Sequence, residues 1–283
     1  MRKIILAGTA VLLAGVSSAG AADVLPAPIM EAPIYQAPVS QPVAAAGGWY
    51  LRGDVGYSWN KISGANFFQG DLNTYAPFTT TSLRNSYSIG GGVGYQINSY
   101  LRTDTTLDYF SKADFRGSTT GSCGVAAACT STDLTSVTGL SLLANAYVDF
   151  YKKGRFTFYG GAGIGGTRVK WDALSNTSCE TGDPTNCDGT ESHGGASGWR
   201  FTYALMAGAS IDITCNLKGD VGYRYRNVAG GGMFKSLTSA GYQGYHEDLS
   251  SHEVRGGLRY GFNGCEQQEV YIEPAPIMPM VYK

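Results

Sequence analysis

Gly48-Trp49-Tyr50-Leu51-Arg52-Gly53-Asp54-Val55-Gly56-Tyr57-Ser58-Trp59-Asn60 is the stretch that decides the fold. Its odd positions carry Trp49, Leu51, Val55, Tyr57 and Trp59; its even positions carry Arg52, Asp54, Ser58 and Asn60 beside Tyr50 and Gly56. A period of two sets these groups on opposite faces of a β-strand. The apolar face has tryptophan at both ends and aliphatic residues between. That order suits a strand that meets hydrocarbon in its middle and the lipid–water boundary at its ends.

The alternation recurs seven times downstream. Residues 83–97 turn Leu83, Tyr87, Ile89, Val93, Tyr95 and Ile97 outward, and 100–113 set Leu101, Leu107 and Tyr109 against Arg102, Asp104 and Asp108. Residues 136–150 set Leu140, Leu142, Val148 and Phe150 against Asn145, Tyr147 and Asp149. In 155–171, Phe156, Phe158, Ala162 and Ile164 share a face, on which Arg168 is out of place; a bulge there, or emergence from the membrane, is expected. Residues 199–213 oppose Trp199, Phe201, Tyr203, Leu205, Ile211 and Ile213 to Arg200, Thr202, Ser210 and Asp212. Residues 217–228 turn Leu217, Val221, Tyr223 and Tyr225 out and Lys218, Asp220, Arg224 and Arg226 in. Residues 250–262 turn Val254, Leu258, Tyr260 and Phe262 out and Glu253, Arg255 and Arg259 in.

Connection lengths supply the topology. Long polar loops at about 61–82, 114–135, 172–198 and 229–249 alternate with tight turns near Asn98-Ser99, Lys152-Lys153-Gly154 and Cys215-Asn216. Long extracellular loops and short periplasmic turns are the habit of outer-membrane barrels. The expected fold is therefore all-β: an eight-stranded antiparallel up-and-down transmembrane β-barrel with both termini in the periplasm. Composition agrees. Beyond the N-terminal leader no run of about 18 apolar residues occurs, so no transmembrane helix is expected. The mean hydropathy of −0.11 fits strands in which every second residue meets lipid. A net charge of −1 gives no electrostatic reason to expect nucleic acid as a partner.

Four segments follow. Arg2 and Lys3, the apolar run Ile4 to Val16 and Ala19-Gly20-Ala21 read as a secretory signal peptide over 1–22, with the mature chain beginning at Ala22 or Asp23. Residues 23–47 are a Pro/Ala-rich periplasmic segment, 48–262 the barrel, and 263–283 a Pro-containing periplasmic tail. Pro26-Ala27-Pro28-Ile29-Met30 recurs as Pro274-Ala275-Pro276-Ile277-Met278, and both are expected to be extended or disordered linker, the alternative being contact with peptidoglycan or an envelope protein.

Six cysteines in an exported chain read as disulfides. Local spacing pairs Cys123 with Cys129 and Cys179 with Cys187, cinching the second and third long loops. Cys215 and Cys265 fall at the periplasmic rim on neighbouring strands, within bridging reach. The spacings lack nearby histidines, so no metal is expected.

With the strands laid out, Gly48-Trp49-Tyr50-Leu51-Arg52-Gly53-Asp54-Val55-Gly56-Tyr57 and Gly90-Gly91-Gly92-Val93-Gly94-Tyr95, after a leader ending Ala-Ala-Asp and a proline-rich lead-in, resemble the small outer-membrane β-barrel proteins of alphaproteobacteria. These are the opacity-protein and heat-resistant-agglutinin type of the porin superfamily. The resemblance covers about residues 47 to 262. It implies an outer-membrane location, in lipid and lipopolysaccharide, and roles as surface antigen, adhesin, structural barrel or, in some members, haem binder. Such barrels commonly end at the aromatic of the last strand, here Phe262, whereas this chain continues to Lys283.

The inward faces gather Arg52, Asp54, Arg84, Arg102, Asp104, Asp108, Asp149, Arg200, Asp212, Lys218, Asp220, Arg224, Arg226, Glu253, Arg255 and Arg259. An eight-stranded barrel is just wide enough to be filled by side chains, and unpaired charges inside it are costly, so a salt-bridged plug is expected ahead of an ion path. Ser250, His252 and Glu253 contain the residue types of a hydrolytic triad, but Glu253 points away from the other two, so no catalytic role is expected. His193, His246 and His252 lie in or near the loops and are read as solvated rather than as haem or metal ligands. Phe67, Phe68, Tyr75 and Phe78 would pack among themselves, or form an adhesive patch. The expected function is a non-enzymatic structural or surface barrel without cofactor, whose loops serve adhesion or antigenic contacts. The alternative is a narrow porin-like channel, or a barrel that captures haem or another small ligand.

Overall fold

A computed structural model describes residues 47–69, 74–235 and 242–262. The leader, both proline-rich segments and Cys265 lie outside the described residues. Eight long strands form the barrel: β1 (Gly48–Ile62), β2 (Ser86–Gln96), β3 (Leu101–Ser118), β4 (Cys129–Lys153), β5 (Phe156–Trp171), β6 (Ser197–Asp212), β7 (Leu217–Val228) and β8 (Leu249–Gly261). Each pairs antiparallel with the next, and β8 pairs with β1, placing Tyr50 opposite Gly261 and Ile62 opposite Leu249. The ring therefore closes, which satisfies every strand edge within the wall, as hydrocarbon requires.

The register fixes the bore. Paired residues followed around the ring from Tyr50 run through Gly94, Asp104, Asn145, Gly163, Ala204, Arg226 and Ser251 and return to β1 at Asn60, a stagger of ten residues. Strands in such a barrel tilt by about 40°, and the interior is narrow enough for side chains to fill it. From Trp49 to Trp59 β1 climbs about 25 Å, the height of the apolar band of an outer membrane. Aromatic pairs mark both boundaries: Trp49–Tyr95 and Tyr260–Phe262 at the turn end, Tyr57–Trp59 and Tyr57–Tyr87 at the loop end. Between them Leu51, Val55, Ile89, Leu205 and Val221 are exposed on the outer wall, while Arg102 and Arg224 inside are 1% exposed.

The strands outrun the membrane. β3 and β4, expected over 100–113 and 136–150, reach Ser118 and begin at Cys129, so the second loop is shorter than its expected span of 114–135. The reason is an inversion of polarity. Past the boundary the outer face meets water and the inner face must build its own core. In β5 Arg168 and Lys170 face out while Val169 and Trp171 are buried inside, with regular pairing across Arg168. Emergence, not a bulge, explains Arg168. In β3 a register shift between Phe110 and Ala113 does change parity, so that Phe110, Ala113 and Phe115 all point inward.

The loops are themselves built of strands. Residues 174–180 extend the wall by pairing with β4, and 183–187 and 191–193 pair back on them. Residues 231–235, 242–246, 65–69 and 74–77 form a separate four-stranded sheet that joins the last loop to the first.

Candidate functional site

The site is the barrel interior and the loops that close it. Within the membrane the interior is a neutral ionic core. Six buried arginines (Arg52, Arg102, Arg224, Arg226, Arg255, Arg259) face six carboxylates (Asp54, Asp104, Asp108, Asp149, Asp220, Glu253) among the described residues, and each arginine has a carboxylate partner. Arg52 grips Asp54 through Nε and Nη2, at 3.0 and 2.9 Å, and reaches Asp104 through Nη1 at 2.8 Å. Asp104 also accepts from Asn145 at 2.7 Å and from the Tyr50 hydroxyl at 3.1 Å, and Arg255 bridges to Asp54 from β8. Arg224 donates to Glu253 at 2.9–3.1 Å and to Asp108 at 2.9 Å, while Ser88 donates to Glu253 at 2.8 Å. Arg259 meets Asp220 and Ser210. Arg102 bonds Asp149 at 3.1 Å and lies between the rings of Tyr147 and Tyr159, 4.2 and 4.6 Å from their centroids. Glycine makes the room: a Cβ at Gly90 would overlap the Asp108 carboxylate, and one at Gly56 that of Glu253.

Other members of the expected interior set lie elsewhere. Lys218 and Asp212 form a 2.7 Å pair at the periplasmic mouth, on a cavity of about 630 Å³ shared with Lys152 and Arg155. Arg200 reaches up to the Gly232 carbonyl at 3.4 Å and has no ion pair among the described residues. Arg84 precedes β2 and makes a largely exposed pair with Asp114, so it is not an interior residue. Glu253 is turned inside and clamped by Arg224, whereas His252 lies on the outer wall against the Tyr223 hydroxyl at 2.5 Å; Ser250, His252 and Glu253 are not brought together.

Above the ionic core sits an apolar one. Phe67, Phe78, Phe115, Trp171 and Phe234 form an edge-to-face chain with ring centroids 5.7–5.9 Å apart, set among Ile62, Val137, Val169, Leu174, Val228 and Met233. The loops thus seal the mouth with a core of their own. His193 and His246 belong to it. The expectation of solvated side chains is corrected: they are 4% and 3% exposed, His193 against Phe67 and His246 against Trp171. Burial pushes the His246 imidazole down to about 4 and lowers His193 as well. His246 Nδ1 lies 2.6 Å from the Glu247 carbonyl, which suits a neutral ring donating from that nitrogen. At the rim of the cap, hydrogen bonds from Lys112 and Ser136 hold the Asp172 carboxyl below its ordinary range.

Two disulfides brace the loops. Cys123–Cys129 closes the second, and Cys179–Cys187 joins facing residues of the third. Cys215 is disulfide-bonded, and its expected partner Cys265 lies outside the described residues. The apolar core is not evident from the strand alternation. Its signal was available in Val169 and Trp171 on the inward parity of β5, and in the apolar pair Met233-Phe234 inside a polar loop.

Comparison with known proteins agrees with this architecture. Residues 9–262 match the family described as outer membrane protein beta-barrel domain. An uncharacterised protein of Brucella suis is 37% identical, over 89% of this chain and 95% of that protein. A Rickettsia conorii protein that carries the name of a proposed adhesin is 26% identical, over 75% of this chain and 81% of its own. Among solved structures, Neisserial surface protein A aligns with a TM-score of 0.43 at 19% identity, covering 76% of this chain and 97% of the other.

Proposed function

Because the chain belongs to the outer-membrane β-barrel family and so sits in the outer membrane of a Gram-negative cell, we propose that it is a closed, non-enzymatic surface barrel whose work is done by its rigid extracellular loops in contacts with other surfaces. One observation carries this reading: the bore is filled twice over, by six arginines balanced against six carboxylates and then by the aromatic cap. A core whose charges balance and whose arginines each meet a carboxylate gives a permeating ion no lining of one sign. The first, third and fourth loops pack on a common core, and disulfides brace the second and third, which gives a firm platform of the kind that recognition requires. The name of the Rickettsia conorii relative points the same way.

The test is gain of adhesion. The full chain is displayed on a non-adherent Gram-negative host, its folding is checked by heat-modifiable gel mobility, and cells retained on epithelial monolayers are counted. Retention above that of a host displaying a loop-trimmed barrel supports the proposal; equal retention refutes it.

A further inference from the structure

The geometry points to a neutral-glycan platform on the outward face of the extracellular sheet, an inference that rests on the surface-contact reading and names its partner. The sheet of 231–235, 242–246, 65–69 and 74–77 has two faces of different work. Phe67, Ala65 and His246 turn inward onto the apolar core. The opposite parity carries Phe68, Tyr75 and Tyr245, with Asn66 and Gln243. Four rings touch in series: Phe68–Tyr75 at 5.3 Å, Tyr75–Tyr245 at 5.3 Å and Tyr245–Tyr242 at 5.4 Å. They are anchored, for the Tyr75 hydroxyl donates to the Tyr242 carbonyl at 2.6 Å and Gln243 Nε2 to the Phe68 carbonyl at 2.9 Å. Yet Tyr75 and Tyr245 remain 44% and 37% exposed. Aromatic rings held at one spacing and left open to water, beside the half-buried rings of Phe68 and Tyr242, call for an occupant.

Size and charge choose it. A stable protein partner covers about 800 Å² on each side. Two partly exposed tyrosines offer on the order of 200 Å², the footprint of a few sugar rings. Hexose faces present C–H groups to an aromatic ring and hydroxyls around their edge, and the amides of Asn66 and Gln243 are placed to meet the latter. Apart from Lys235 on the outermost strand and the buried His246, the sheet carries no ionisable charge-bearing side chain among its described residues. The match is to an uncharged glycan, not to a sulfated or phosphorylated one. The sheet's inner face packs on the core that closes the barrel mouth, so its outer face is turned to water, where a glycan presented by another surface can reach it.

The experiment uses the full folded protein in nanodiscs and saturation-transfer NMR with cellohexaose, maltohexaose, mannohexaose and galactotetraose as probes. A heparin hexasaccharide and the bacterium's own purified lipopolysaccharide form separate arms. The expected result is binding of at least one neutral oligosaccharide, unchanged by salt, weakened about tenfold in Tyr75→Ala and in Tyr245→Ala and retained in Tyr245→Phe. Gel mobility and near-UV circular dichroism confirm that each variant is folded. No neutral probe bound at millimolar concentration, or binding confined to heparin or to the cell's own lipopolysaccharide, overturns the proposal. Cell adhesion separates the two claims. Adhesion that persists in the tyrosine variants refutes the platform alone, whereas wild-type cells that do not adhere refute the surface-contact reading itself.

Discussion

Arg224 and Arg226 stand two residues apart on one face of β7, both fully enclosed, and replacing each by methionine should have very different consequences. Arg224 makes three contacts of 2.9–3.1 Å with Glu253 and one of 2.9 Å with Asp108. Its loss leaves Asp108 without an ion partner and Glu253 with only the looser Arg226, and breaking a buried pair in this way costs about 3–5 kcal/mol. Arg226 lies 3.7 Å from Glu253, its Nη1 finds no hydrogen-bond partner, and its guanidinium rests on the Phe110 ring, 3.3 Å from the centroid, beside a cavity of about 60 Å³. Arg226→Met removes a cation–π contact of about 1 kcal/mol but also a desolvated charge, while Glu253 keeps Arg224. The net change should stay within about 1 kcal/mol of zero. Urea unfolding in phospholipid vesicles, followed by tryptophan fluorescence, measures both. A gap of about 2 kcal/mol or more, with Arg224→Met the worse, is expected; equal effects, or a costlier Arg226→Met, would refute the assignment of these contacts.

Three further outcomes can be checked. The neutral His246 ring stabilises the cap fully above its ordinary value of 6.5, and that stability is lost progressively as pH falls from there to about 4, by up to about 3 kcal/mol. Proteolysis of the loops should therefore accelerate between pH 7 and pH 4 in the wild type, less so in His246→Phe, where His193 still titrates, and least when His193→Phe is added; a flat wild-type profile would count against it. Gly90→Ala drives a methyl into the Asp108 carboxylate and should destabilise by about 1–3 kcal/mol, whereas Gly91→Ala, next to it on the outer wall, should be near neutral; matched effects would contradict the inward packing. Cys179→Ser with Cys187→Ser should loosen the third loop to protease without changing gel mobility of the barrel, and a loop as resistant as before would show the bridge to be idle.

The fold was legible where one solvent acts on one face over a full strand. In 48–60 and 199–213 lipid outside and polar partners inside give a clean period of two, and the alternation of long and short connections supplies the topology. Arg52, Asp54, Asp104 and Glu253 fall on the inward parity of their own strands, but which carboxylate meets which arginine depends on the ten-residue stagger, a property of the closed ring and not of any segment. Strand ends failed for a related reason. Beyond the membrane both faces change their medium, so Arg168-Val169-Lys170-Trp171 reads as a broken lipid strand although it is a regular strand with its polarity reversed. The bulge at Phe110 to Ala113 hid Phe115 from the pattern altogether. His193 and His246 were read as wet because they lie in polar loops; only the apolar core shows why they are dry.

A full bore carries no current. Purified protein in planar lipid bilayers should show no steady ionic current over a range of voltage in concentrated potassium chloride. Reproducible, ohmic unitary steps from the folded wild type would contradict the closed barrel and everything argued from it.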